Sequence, residues 1–240
     1  MFPIRDHNPS RRTPFVVYAL LVANVVLYFA SVPYLNSPQF LTDWAVIPAL
    51  SYPATYVTSQ FLHGGLLHLG GNMLFLWIFG DNLEDRMGHV MFLGFYLLCG
   101  VAAGVGQTLA DPVSVVPMIG ASGAIAGVMG GYLLLFPRAR VDVLLIFIIF
   151  FRIFPVPAWI VLGLWFAIQV ASGAAMPADM GGVAYWAHAA GFITGLVLTL
   201  PVFLRLGGPV FWNRHHGLPP YPEAEYRWRR SPIPRAGHRR

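Results

Sequence analysis

Polar and apolar positions divide the chain into six long apolar stretches joined by polar or aromatic connections. Residues 15–31, 64–80, 90–109, 117–136, 156–172 and 184–204 carry no charged side chain. At about 1.5 Å of rise per residue, helices of these lengths approach or cross a hydrocarbon core roughly 30 Å thick. The connection 34–61 is rich in proline and aromatic residues, with Asp43 as its only charge. Such a loop belongs in the membrane interface, where Trp44, Tyr52 and Tyr56 are at home. A polar turn, 81–89, closes the second stretch, and Asp111 and Pro112 link the third to the fourth. Arg138, Arg140, Asp142 and Arg152 bracket the apolar run 143–151, which is too short to span. A helix continued to 171 would be over-long, and Pro155 and Pro157 would interrupt it. Residues 143–154 are therefore expected at the interface, with the fifth span beginning at 156. A glycine-rich loop holding Asp179 precedes the sixth.

Composition supports the membrane reading. The chain has 240 residues, 57% hydrophobic and only 10% charged, with mean hydropathy +0.62; soluble domains carry about 25% charged residues. The expected organisation is an all-α membrane protein: a short tail (1–14), a six-transmembrane-helix bundle (15–205), and a basic, disordered tail (206–240). All fifteen basic residues are arginine. They fall in the two tails, the 81–89 turn and the 137–155 stretch, whereas 34–61, 110–116 and 173–183 hold none. The positive-inside rule then places both termini in the cytoplasm. No soluble face is available to gather these arginines for nucleic acid. Cys99 is alone, so no internal disulfide forms. Residues 1–14 hold no apolar core with a cleavage site, so the first span is expected to be retained. The bilayer expected is a prokaryotic inner membrane.

Topology gives the candidate chemistry its level. Spans two, four and six all run inward from the outer surface, so residues near their starts share a depth. Ser122, in Gly120-Ala121-Ser122-Gly123, is expected about five residues into the fourth span, roughly 7–8 Å down. His188 is similarly placed in the sixth. His68 opens the second, with Asn72 one turn below on the same face. On its own the Gly-Ala-Ser-Gly motif reads first as close helix packing, and Asn72 serves equally as interhelical glue. Together, four polar residues at one level are candidates for function. Serine needs a base to become a nucleophile, and imidazole is the usual one. No carboxylate accompanies Ser122 or His188, which favours a dyad. The Ser122 N–H, the Asn72 amide and a donating nitrogen of His68 suit an oxyanion.

Glycines 120, 123 and 127, with Gly191 and Gly195, would let spans four and six approach closely. Histidines also ligate metal or haem. No H-E-x-x-H motif, cysteine or carboxylate shares this level, and His63 and His68 lie on different faces, so neither metal nor cofactor is expected. His63 reads as structural. Asp43, Asp111 and Asp179 read as solvated, and Trp77, Trp159 and Trp165 as lipid-facing or packing residues.

His68-Leu69-Gly70-Gly71-Asn72, Gly120-Ala121-Ser122-Gly123 and Ala187-His188-Ala189-Ala190-Gly191, in this order on even spans, resemble the rhomboid family of intramembrane serine proteases. Phe61-Leu62-His63-Gly64-Gly65 and Gly80-Asp81-Asn82-Leu83-Glu84-Asp85 extend the likeness over about 55–200. The resemblance implies Ser122 as nucleophile and His188 as general base, with His68, Asn72 and the Ser122 amide as the oxyanion hole. It also implies transmembrane segments of other proteins as substrates. Two positions depart from the family pattern. Ala54-Thr55 stands where many members have Trp-Arg, and Ala126 stands where some carry an aromatic that stacks on the histidine. Two rival readings are a catalytically inactive relative that binds transmembrane helices and a small transporter. Against the transporter, the chain shows no internal repeat and no paired broken spans.

Overall fold

The computed structural model describes residues 2–50, 52–147, 150–175 and 183–226. Each of the six apolar stretches contains a helix. In chain order the helices are α1 (Phe15–Ser31), α2 (Pro38–Trp44), α3 (Thr55–Thr58), α4 (Leu66–Met87) and α5 (His89–Ala110). They continue with α6 (Ser122–Leu135), α7 (Ala158–Ala175), α8 (Tyr185–Arg205) and α9 (Pro209–His215). Among the described residues four helices (α1 with the turn after it, α5, α7 and α8) are long and apolar enough to cross a membrane. The segment Thr55–Phe61 and α4, bent by 97° to one another, together make a fifth candidate, and α6 is a shorter apolar helix.

Helix α6 lies at the centre of the bundle. From Gly123 to Tyr132 every residue is buried, so the helix can only pack against other helices. Glycine makes that approach possible. A Cβ on Gly191 would overlap the carbonyl oxygen of Gly123, and one on Gly195 that of Gly127. Without side chains between them, α6 and α8 meet backbone to backbone.

The second stretch does not end in a turn at residue 81. Helix α4 continues to Met87 because its polar residues find partners in the N-terminal segment. The Asn82 amide donates to the Asn8 carbonyl at 2.6 Å, and Asp85 accepts the Arg12 N–H at 3.1 Å. Buried Glu84 accepts the N–H groups of Val16 and Val17 at 2.9 and 2.8 Å. Its carboxylate thereby caps the first turn of α1, where free donors and the helix dipole favour negative charge.

The fourth stretch is shorter as a helix than expected, since residues 117–121 are not helical. Met118 exchanges two backbone hydrogen bonds with Val46 (3.1 and 2.7 Å), and the Gly120 N–H donates to the Ser59 carbonyl at 2.9 Å. Gly120 has φ +130°, a conformation that requires glycine. Ser122 is therefore the first residue of α6 and not five residues inside it. The aromatic connection 34–61 supplies the partners that replace helical bonds here.

Residues 143–147 and 150–154 form part of an antiparallel sheet. Strands β1 (Phe2–Asp6), β2 (Arg140–Phe147) and β3 (Phe150–Pro157) pair in the order β1-β2-β3. Val141, Val143 and Asp142 are all buried. The two valines face one side of the pleat, and Asp142 on the other receives Arg5 at 2.7 Å and His7 at 2.9 Å. Pro155 and Pro157 are tolerated because β3 is an edge strand. The N-terminal segment is thus a strand, where a plain tail was expected.

The polypeptide beyond 206 also departs from the expected disordered tail. It forms α9, whose Trp212 indole donates to the Leu134 carbonyl at 3.0 Å. It then returns over the N-terminus, with the Ala224 N–H donating to the His7 carbonyl at 3.1 Å and the Arg5 guanidinium 4.0 Å from the Tyr226 ring centre. Residues 227–240 and Asp179 lie outside the described residues.

Candidate active site

The chain brings three of the polar candidates to one cavity of about 550 Å³, lined among others by His68, Gly120, Ser122 and His188. None of its described lining residues is Asp, Glu, Lys or Arg. Ser122 Oγ lies 2.7 Å from Nε2 of His188, which sits in the first turn of α8. The glycine contacts between α6 and α8 bring these two helix starts together. Gln107 of α5 adds a tether, its Oε1 accepting the Ala187 N–H at 3.2 Å.

The other ring nitrogen, Nδ1, lies 2.7 Å from Oε1 of Gln169 on α7. Gln169 is buried at 7% exposure, and its Nε2 donates to the Trp165 carbonyl at 3.4 Å. A carbonyl only accepts, so the amide nitrogen faces Trp165 and the amide oxygen faces the imidazole. Nδ1 of His188 therefore carries the proton, and Nε2 offers a lone pair to the serine hydroxyl. Trp165, expected only to pack or face lipid, also lies against the histidine ring, with centroids 5.6 Å apart and planes tilted by 36°. These two residues supply the support that Ala126, wholly buried, does not. Gln169 was absent from the sequence reading. The signal for it was a side-chain amide inside an otherwise apolar span, which is costly in hydrocarbon unless partnered.

The Gly64 N–H donates to Nδ1 of His68 at 3.3 Å. An N–H cannot accept, so the proton of neutral His68 resides on Nε2. That nitrogen stands over Gly120: a Cβ placed there would be 2.8 Å from it and 3.7 Å from Ser122 Oγ. His68 thus aims a donor at the space beside the serine. Ser122, as the first residue of α6, also has an N–H with no partner among the described residues. Asn72 is buried one turn down α4, with its amide nitrogen 3.1 Å from the His68 carbonyl; it is not among the residues lining the cavity. His63 is fully buried, its ring edge-on to His68 with centroids 5.1 Å apart. Among the described residues no three His, Cys, Asp or Glu side chains gather as a metal site.

Chemically, the arrangement is an alcohol hydrogen-bonded to an imidazole of defined tautomer, with two N–H donors beside it. These are the parts acyl transfer requires.

Known proteins resemble the chain over most of its length. The rhomboid domain family matches residues 51–205. Rhomboid protein 1, mitochondrial, of Saccharomyces cerevisiae is 34% identical over 192 residues, covering 76% of this chain and 51% of the relative. Rhomboid protease GlpG of Yersinia pestis is 29% identical over 117 residues, 48% of this chain and 37% of the relative. The putative rhomboid protease YdcA of Bacillus subtilis is 36% identical over 77 residues, 32% of this chain and 38% of the relative. The chain thus spans about half the length of the yeast protein, and less of the other two. The yeast relative is named mitochondrial, so the expected prokaryotic inner membrane gives way to the coarser statement that this is an integral membrane protein. With the domain matched across most of its length and a relative aligned over three quarters of it, the chain belongs to the rhomboid family.

Proposed function

We propose that this protein is an intramembrane serine protease that cleaves peptide bonds in or next to transmembrane segments of other membrane proteins. The observation that carries the reading is the 2.7 Å contact between Ser122 Oγ and His188 Nε2 in a cavity whose described lining holds no Asp, Glu, Lys or Arg. In the proposed cycle Oγ attacks the scissile carbonyl carbon while its proton passes to Nε2. The negative charge that develops on the carbonyl oxygen is held by the His68 Nε2–H, the Ser122 N–H and the second amide proton of Asn72. Collapse expels the amine, which takes the proton from His188. Water then enters the cavity, gives its proton to His188, and its hydroxide attacks the acyl-enzyme, releasing the carboxylic acid and restoring the serine.

The six helices are read as six spans with both termini cytoplasmic. On that reading the arginine-bearing sheet and tail lie on the inner side and the cavity on the outer. Removal of Ser122 or His188 tests the proposal. Ser122→Ala and His188→Ala should each abolish cleavage of a reconstituted transmembrane substrate, and labelling by a fluorophosphonate should require both residues. Normal turnover by Ser122→Ala would refute the nucleophile assignment. A folded wild-type protein that never labels would favour the inactive, helix-binding relative.

A further inference from the structure

We infer that Gln169 of α7 is the positioning residue of the site, completing a Ser-His-Gln relay in which a neutral amide does the work a carboxylate does in triads. The inference rests on the protease reading for its consequence and on geometry for its content. A dyad of Ser122 and His188 alone leaves two questions open: which ring nitrogen carries the proton, and what stops the ring from turning about its side-chain bonds. Either a wrong tautomer or a wrong rotamer leaves Oγ without a base.

Both questions are answered from one face of α7. Gln169 and Trp165 are four residues apart, so they lie one above the other on the helix. The amide oxygen of Gln169 accepts a hydrogen bond from Nδ1–H at 2.7 Å, and Trp165 lies along the ring. The amide cannot flip without placing its NH₂ against the imidazole and its oxygen against the Trp165 carbonyl, since its nitrogen now donates to that carbonyl at 3.4 Å. In the other direction Trp165 is held by Phe192 of α8, ring centroids 6.2 Å apart. Gln169 is also one of only three buried residues of α7, with Ala158 and Leu162. A residue that α7 hides so selectively, and that it could replace with leucine at a gain in apolar burial, is placed there for its hydrogen bond.

The chemistry of an amide at this position differs from that of a carboxylate in a measurable way. Gln169 accepts a hydrogen bond from Nδ1–H of both the neutral and the protonated ring, so it fixes orientation throughout the cycle. Being uncharged, it gives the imidazolium no ion pair. Gln169→Glu adds that charge at the same distance. Gln169→Leu removes the acceptor with little change in volume.

The test is fluorophosphonate labelling of the full-length protein in detergent across pH, combined with ¹⁵N NMR of the His188 ring. Gln169→Leu should lower the labelling rate about 10–100-fold, the size that loss of the hydrogen-bond partner orienting a metal-binding histidine carries. It should also convert His188 from the Nδ1–H form to a mixture of tautomers. Gln169→Glu should retain labelling, with the alkaline rise of the profile moved to higher pH. Unfolding temperatures of both variants close to wild type separate positioning from folding. If either variant fails to fold, Gln169→Asn, whose shorter side chain withdraws the oxygen from Nδ1, takes its place with the expectation stated for leucine. Wild-type rates, profile and tautomer in Gln169→Leu would overturn the inference. Absence of labelling in the wild type would instead defeat the protease reading, and the tautomer measurement would still decide the role of Gln169.

Discussion

Substitution of Gly120 by alanine tests the proposed oxyanion side of the site without touching any group that forms or breaks a bond in the proposed cycle. Gly120 holds φ +130°, where an L side chain costs on the order of 1–3 kcal/mol. The new methyl would also stand 2.8 Å from Nε2 and 2.9 Å from Cε1 of His68, closer than carbon and these atoms approach in folded proteins. Either the imidazole or the backbone at 120–122 must give by several tenths of an ångström. His68 is held by the Gly64 N–H at 3.3 Å, a single long bond, so the ring moves first and its donor leaves the serine. Loss of one oxyanion donor lowers turnover by about 10²–10³. Gly120→Ala should therefore fold with a modestly reduced unfolding temperature and cleave a reconstituted transmembrane substrate at that reduced rate. Its KM should change little, because the donor acts on the transition state. A Gly120→Ala protein with wild-type kcat would show that His68 is not where the oxyanion forms. A variant that does not fold at all would show that the strain reaches well beyond the local loop.

Asn72→Ala should lower kcat by about 10²–10³ if its second amide proton reaches the oxyanion; an unchanged kcat with reduced stability would assign it to holding the His68 carbonyl. Glu84→Gln turns one of the two carboxylate oxygens into an NH₂ group, set either against the Val17 N–H or against the Val16 N–H and His89, which should cost about 1–3 kcal/mol in unfolding experiments and leave the kcat of the folded fraction unchanged. Asp6 and Asp142 should give opposite pH signatures. Burial, and after it the Asp81 carboxylate, push Asp6 well above the usual carboxylate range. Its contribution is thus present below the unfolded value of about 3.9 and lost as pH rises through the folded value. Asp6→Asn, which still accepts the Tyr132 hydroxyl that lies 2.7 Å from the native carboxylate, should raise the unfolding temperature at pH 8; no gain there would count against the assignment. At Asp142 burial opposes ionisation, yet the hydrogen bonds from His7 and Arg5 outweigh it and hold the carboxyl below its usual range. That contribution is present above about 3.9 and lost as pH falls through the lower folded value. Amide exchange on β1 should accordingly accelerate in acid, and Asp142→Asn should make it fast at neutral pH.

The sequence alone determined the apolar stretches, because transfer of a side chain into hydrocarbon depends on that side chain and its near neighbours. The bounds of α1 match the expected 15–31, and the polar residues in apolar stretches marked Ser122, His188 and His68. It did not determine where helices begin when tertiary partners compete for the backbone. Met118 and Gly120 pair with Val46 and Ser59, so α6 starts at the serine, and Glu84 and Asn82 find partners in the N-terminal segment, so α4 outlasts its apolar run. The sheet joins β1 to a hairpin more than a hundred residues away, and no local pattern encodes that pairing. Gln169 and Trp165 are the sharpest case: as α7 residues they look like one stray amide and one lipid-facing ring. Only the approach of α7 to α8 sets them against His188, because a histidine's tautomer is decided by whichever group reaches its far nitrogen.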